Sequence, residues 1–311
     1  MKARLLPVVL VLAAASMVSA DSRVERTMKL EPGGTFRLDS DIGAVVIRGK
    51  AERGAHVLFE SSRTDLEDRL EFRFDEKPGE ASVTAKSRYH NWFDGFHGRV
   101  TVTVEVPFET AVDIHTAGGS IELTGLKRPA RLRTSGGSLR IAELSADLDG
   151  DTSGGSVHVR DVAGNARVRS SGGSIEAERI RGSLDAATSG GSVRVENVSG
   201  DLKAHSSGGP IRIIEASGRV DADTSGGGVD VAFAKGNGKG GRIESSGGGI
   251  TVSLDPAVHL EIDAHAEHVD SELPLTVSGR VSRESIHGTL NGGGPELRIE
   301  TSGGSIRIRA I

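Results

Sequence analysis

The stretch Arg169–Ala186 reads "RSSGGSIEAERIRGSLDA", and the next eighteen residues, Ala187–Ala204, read "ATSGGSVRVENVSGDLKA". The two lines agree at the glycines, at the aliphatic positions and in where the polar residues fall. The same spacing extends in both directions. Glycine pairs stand at Gly118-Gly119, Gly136-Gly137, Gly154-Gly155, Gly172-Gly173, Gly190-Gly191, Gly208-Gly209 and Gly226-Gly227, each step being eighteen. A further pair at Gly247-Gly248 follows a three-residue insertion, and another stands at Gly303-Gly304. A fixed period of this length marks a repeat architecture.

Within a unit, two apolar residues with one spacer follow the glycines, as in Leu139 and Ile141 or Val193 and Val195. Period two means a strand with one buried face. A lone apolar residue comes next (Leu144, Val162, Ile180, Val198), then a turn that often holds a glycine, such as Gly164 or Gly182. A second alternating pair closes the unit, as in Leu184 and Ala186. Each unit therefore predicts two short strands and two turns, with the glycines supplying backbone angles that a Cβ resists. One unit cannot stand alone. Its five aliphatic side chains are worth ~1.5–3 kcal/mol each on burial. Ordering the backbone opposes folding by ~1–2 kcal/mol per residue. Neighbouring units must stack, and the natural solution is a parallel β-solenoid with coils ~4.7–4.9 Å apart.

The charges carry the same period. One outward position reads Arg131, Asp149, Arg167, Asp185, Lys203, Asp221, alternating in sign at every step. Two residues further on, Arg133, Asp151 and Arg169 begin the same way, and Ala187, His205 and Asp223 follow. Opposite charges side by side on a sheet help by ~0.2–1 kcal/mol per pair, and like charges destabilise. This structural charge ladder predicts eighteen-residue coils stacked in register. Two clear alternating pairs per unit favour a flattened two-sheet coil over a triangular one.

The chain of 311 residues has no cysteine, which excludes disulfides and thiolate metal sites, and aromatics make up only 3%. The formal charge of −5 gives no nucleic-acid footprint. Residues 1–20 read as a secretory signal peptide: a basic "MKAR", an apolar run from Leu5 to Ala15, and "VSA" ending at Ala20. No second apolar run of membrane length follows. The expected organisation is a leader at 1–20, an amino-terminal β capping region at 21–110, a regular solenoid at 111–249, and irregular coils with a final repeat at 250–311. Within the first flank, Gly43 with Val45 and Ile47 reads as a degenerate coil; a separate amino-terminal β-domain is the alternative. The expected protein is exported and periplasmic, cell-surface or secreted.

The order of motifs is more telling than any one of them. "LEPGGTFRLDSDIGAVVIRG" at residues 30–49 comes first, "VTVEVPFETAVDIHTAGGSIEL" leads into the repeats, and "ETSGGSIRIRAI" stands last. In this order, over about residues 30 to 311, the chain resembles the bacterial exported β-strand-repeat domains of unknown function grouped as candidate adhesins. The resemblance implies an exported, solenoid-like β-fold. It implies no activity and supplies no catalytic residues.

Several segments are candidates for chemistry. "RYHNWFDGFHG" (88–98) gathers Tyr89, Trp92, Phe93 and Phe96, four of the chain's ten aromatics. An exposed aromatic loop can stack on a sugar, a peptide or another subunit, or it can plug the end of the solenoid. "HLEIDAHAEHVD" (259–270) contains His259, Asp263, His265, Glu267, His268 and Asp270. Strand geometry puts His265 and Glu267 on one face and His268 on the other, so a polar strand is the better reading than a metal site. "GNGKGG" at 236–241 has the spelling of a dinucleotide loop but is followed by another coil instead of a helix, which makes it a turn. The coils lack the recurring Asp of calcium-binding rolls.

Asp149, Asp185 and Asp221 are spaced two coils apart, a distance suited to a carboxylate pair in a glycosidase. The intervening Arg167 and Lys203 would hold them ionised, which favours a salt ladder. The hydroxyl column Thr134, Thr152, Ser170, Thr188, Ser206 and Thr224 reads as turn hydrogen bonding ahead of a ligand row. No nucleophile arrangement stands out. The expected function is a non-enzymatic scaffold or binding module for an envelope glycan or protein, without cofactor. A carbohydrate-active enzyme on a β-helix and an end-to-end polymerising subunit are the alternatives.

Overall fold

The computed structural model describes residues 22–88, 98–277 and 282–311. Among them are 29 strands and one short helix, Leu66–Arg69, and the strands form two sheets of 14 and 15 members. In the regular part the chain alternates between the sheets. Leu139–Leu144 lies in the first sheet, Leu148–Thr152 in the second, and Val157–Val162 returns to the first. Neighbours are parallel and offset by eighteen residues, so Arg140 pairs with His158 and Asp149 with Arg167. The fold is an all-β parallel solenoid of flattened two-sheet coils. The alternating aliphatics point between the sheets: Leu139, Ile141, Leu148, Val157 and Val159 are all buried.

Strict alternation would aim Glu143 inward after Ile141 and leave Leu144 outside. The backbone prevents this by turning left-handed at one residue per coil. Glu143, Asp161, Arg179, Asn197 and Glu215 have φ between 55° and 57°. Gly125 occupies the same place one coil earlier, with φ 76°. Each of these residues flips the chain, so Leu144, Val162, Ile180 and Val198 are buried. A residue with a side chain is disfavoured in this region by ~1–2 kcal/mol. Glu143→Gly is therefore expected to stabilise the fold by about 0.5–1 kcal/mol after the entropy of glycine in the unfolded chain is subtracted, read as a higher thermal midpoint.

The paired glycines do a different job from the one their position in turns suggests. None of those from Gly118-Gly119 to Gly226-Gly227 has a left-handed φ. They allow close stacking. A Cβ on the second glycine would strike the coil beneath: at Gly137 it would lie 2.1 Å from the Gly119 carbonyl oxygen, and at Gly155 2.1 Å from that of Gly137.

The hydroxyl column is buried beside these glycines. Thr152 Oγ1 donates to the Gly137 carbonyl at 2.7 Å and accepts from the Gly155 amide at 3.2 Å. Ser170, Thr188, Ser206 and Thr224 repeat the pattern. Ser245 and Thr301 extend it through the insertion and into the last coil. The hydroxyls tie each coil to the one before. Thr152→Val keeps the shape and orphans a buried carbonyl and amide, with an expected loss of about 1–3 kcal/mol in urea unfolding.

Both ends are closed out of sequence order. At the amino-terminal end, the coil Thr35–Ser40 and Ala44–Lys50 lies between Ala111–Thr116 and Ile121–Leu126 on one side and Glu80–Ser87 and Val100–Pro107 on the other. Antiparallel strands then finish each sheet, Ser22–Met28 beyond Ala55–Ser61 in one and Leu70–Lys77 in the other. At the carboxy-terminal end, Glu296–Thr301 and Ser305–Ala310 slot between Gly241–Ser245 and Ile250–Leu254 and the outer strands Leu260–His265 and His268–Ser271. The outermost strands at the amino-terminal end are charged (Arg23, Glu25 and Arg26; Glu71, Arg73 and Asp75), which discourages edge-to-edge pairing. The flanks belong to the same two sheets as the regular coils.

Candidate functional surfaces

Outward residues of the second sheet form continuous columns. Arg131, Asp149, Arg167, Asp185, Lys203 and Asp221 are consecutive neighbours, and Arg167 lies between Asp149 and Asp185. Arg131 Nε is 3.3 Å from Asp149, and Arg167 Nε is 3.6 Å from Asp185. The adjacent column joins in, with Arg133 3.7 Å from Asp149 and Arg169 3.4 Å from Asp185. Asp221 is met at 3.2 Å by Arg219, which stands just before the strand Val220–Thr224. The sign alternation runs further than the count of eighteen reveals. Arg37 and Asp113 precede Arg131, and Arg242 follows Asp221. Asp113 sits one full step before Arg131 and was findable by counting. Arg37 lies beyond the inserted cap strands, and Arg242 beyond the three-residue insertion.

These groups are about half exposed, so each pair is worth ~0.2–1 kcal/mol. Asp185→Lys would set three cations in a row and is expected to cost about 1–3 kcal/mol in total. The loss should be measurable as a lower thermal midpoint in dilute buffer and should shrink in 0.5 M salt, where the Debye length falls to about 4 Å. A midpoint unchanged in dilute buffer would remove the ladder's energetic role.

A second ion pair lies along the left-handed column. Arg179 Nε and Nη2 meet Asp161 at 2.6 and 3.0 Å. That hydrogen bonding holds the Asp161 carboxyl below the ordinary carboxylate range. The carboxylates Asp149 and Asp185 are likewise ion-paired to arginine.

Tyr89, Trp92, Phe93 and Phe96 lie outside the described residues, in the connection between Glu80–Ser87 and Val100–Pro107. The histidine-rich segment is divided between the sheets, with Leu260–His265 in one and His268–Ser271 in the other. His265 pairs with Asp263 at 3.0 Å, and His287 approaches Glu261 at 3.5 Å. Among the described residues no three potential ligands converge. The segment 236–241 is a turn before the strand Gly241–Ser245. Its Asn237 is buried and donates to the Ala216 and Gly218 carbonyls at 2.7 and 2.9 Å.

Two shallow grooves mark the faces. One, of about 330 Å³, crosses the first sheet over Glu122, Arg140, His158 and Glu176. The other, of about 420 Å³, follows the second sheet over Arg133, Asp151, Arg169, Ala187 and His205. Among the described residues no helix is long and apolar enough to cross a membrane.

Fold and faces together define a capped two-sheet repeat solenoid whose outer columns are charged. The chain belongs to the Toastrack DUF4097 family, whose profile matches residues 37–309, a domain of unknown function. Solved structures similar to it include a candidate cell adhesion protein from Clostridium sporogenes, at 14% identity over 93% of this chain and 100% of that one, with TM-score 0.23. A candidate adhesin from Bacteroides fragilis matches at 10% identity over 92% and 97%, with TM-score 0.38. A candidate lipid-binding protein from Parabacteroides distasonis matches at 11% identity over 93% and 96%, with TM-score 0.34. No curated protein matches the chain.

Proposed function

We propose that the protein is an exported, non-enzymatic module of the cell envelope or surface that binds a glycan or protein partner. The observation that carries this reading is how the reactive side chains are used. The hydroxyl column is buried and bonded to the coil beneath, and carboxylates on the second face are paired with guanidinium groups. Such a surface suits a stiff rod that presents something at its end or along a face. The leader-like residues 1–20 support export. The aromatic residues Tyr89, Trp92, Phe93 and Phe96 are the proposed contact, because Tyr and Trp give large contact areas at small entropic cost.

The test is a glycan array and an envelope-protein pull-down with the mature chain, run beside Trp92→Ala. Specific binding that falls at least tenfold in the variant is the expected result. Equal binding by both proteins would remove the loop from the proposal. New reducing ends after incubation with envelope polysaccharide would replace the binding reading with a carbohydrate-active enzyme.

A further inference from the structure

The charges of the second sheet are banded, and the bands have a symmetry that no single chain uses. The strand Ala130–Thr134 shows two cations, Arg131 and Arg133, and Leu148–Thr152 shows two anions, Asp149 and Asp151. Ala166–Ser170 returns to cations with Arg167 and Arg169, and Leu184–Thr188 shows Asp185 beside the small Ala187. Leu202–Ser206 brings Lys203 and His205, and Val220–Thr224 brings Asp221 and Asp223. Positive and negative bands therefore alternate, one per coil, over the six strands from Ala130–Thr134 to Val220–Thr224.

We propose that this face docks against the same face of a second copy of the chain, antiparallel, about a two-fold axis that runs along the strands between Ala166–Ser170 and Leu184–Thr188. Under that axis Arg167 faces Asp185 of the second copy, and Asp149 faces Lys203. Further out, Arg131 faces Asp221, and Asp113 faces Arg242. In the adjacent column Asp151 faces His205 and Arg133 faces Asp223, while His115 faces Glu244. The one remaining pair is Arg169 against Ala187. There the long side chain of one copy meets the short side chain of the other, over the groove that Ala187 lines. Eight consecutive strands, from Ala111–Thr116 to Gly241–Ser245, are opposed without a like-charge contact.

The register is specific. Moving the axis one coil towards the amino-terminal end sets Asp39 against Asp223. Moving it one coil the other way sets Arg131 against Arg298 and Asp151 against Glu244. Over these eight strands both columns favour the one axis, as a self-complementary two-fold interface requires. One strand further out Arg37 would face Arg298 and Asp39 would face Glu300, so the contact is confined to the eight. Eight strands ~4.8 Å apart and about five residues long, at ~3.3 Å each, give a face of about 630 Å². That is somewhat less than the ~800 Å² per partner of a standard stable interface. The contact is polar as well, so the association is weak and salt-sensitive.

The absence of cysteine makes the test clean. Ala187→Cys and Ala142→Cys each replace an outward alanine without altering charge, on the second and first sheet respectively. About the proposed axis the two copies of residue 187 lie one coil apart along the rod. The expected result is dimer by sedimentation at ~20 mM salt, at least tenfold weaker at ~0.5 M. Under the low-salt condition a short bis-maleimide should cross-link the Ala187→Cys chain and leave the Ala142→Cys chain monomeric. A monomer at low salt and high protein concentration would overturn the proposal. So would a dimer in which the two variants cross-link equally, because the contact would then lie elsewhere.

Discussion

Gly137→Ala is expected to cost the fold about 3 kcal/mol, the upper end of overpacking penalties, while Gly136→Ala, one residue earlier, leaves stability unchanged or slightly raised. The two substitutions add the same methyl group to neighbouring glycines of one turn. At Gly137 the new Cβ would sit 2.1 Å from the Gly119 carbonyl oxygen and 2.2 Å from its carbon. Both obstacles are backbone, held by the ladders of two coils, and neither can swing aside. At Gly136 the nearest atom is 3.5 Å away, an ordinary contact. Its φ is not left-handed, so the alanine gains from a less disordered unfolded chain. Urea unfolding of both variants followed by far-ultraviolet circular dichroism gives the comparison. Equal stabilities would mean that the coils are not stacked glycine on glycine.

Ending the chain at Pro295 is expected to abolish the cooperative fold of the carboxy-terminal third. The lost segment supplies Leu297, Ile299, Ile306 and Ile308, all fully buried. At ~1.5–3 kcal/mol each their burial is worth about 6–12 kcal/mol, comparable to the ~5–15 kcal/mol that holds a typical domain together. Two further losses follow from the topology. Gly241–Ser245 and Ile250–Leu254 are left with open edges. The outer strands Leu260–His265 and His268–Ser271 lose their parallel neighbours. The truncated chain should aggregate through those edges. A synthetic peptide of residues 296–311, added during refolding, should restore solubility and the thermal transition. A truncated chain that stays soluble, monomeric and fully cooperative would show that the last coil is an accessory.

The coil itself was legible because glycine pairs, alternating aliphatics and the charges at Arg131 to Asp221 repeat with one period. Three independent columns could be read by counting. Other features leave weaker traces. The left-handed column shows in the sequence only as an odd spacing: Leu144 follows Ile141 by three where alternation requires two, so one residue between them must turn the chain. Glu143 and Arg179 are poor candidates for that conformation by residue type, which hides it. In the sequence the paired glycines read as turn formers, because their packing role depends on the coil beneath and a single sequence does not display that neighbour. The insertion of the final coil between earlier ones is a long-range pairing, and "TSGGSIRI" would read the same at an open end. On the candidate surfaces, the charge columns could be listed, but their extension to Arg37 and Arg242 needed the structure.

The opposed signs on successive turns of the second sheet also restrict how this rod can grow or shrink. Excising one turn, residues 148–165, would seat Arg131 on Arg167 and Arg133 on Arg169. Excising two adjacent turns would restore a cation against an anion and leave both closed ends untouched. Between Ala130–Thr134 and Val220–Thr224, loss or gain of turns in even numbers is therefore favoured over odd numbers by the ~0.2–1 kcal/mol of each opposed pair. The bias ends at Gly241–Ser245, where Arg242 already neighbours Arg298 and Glu244 neighbours Glu300.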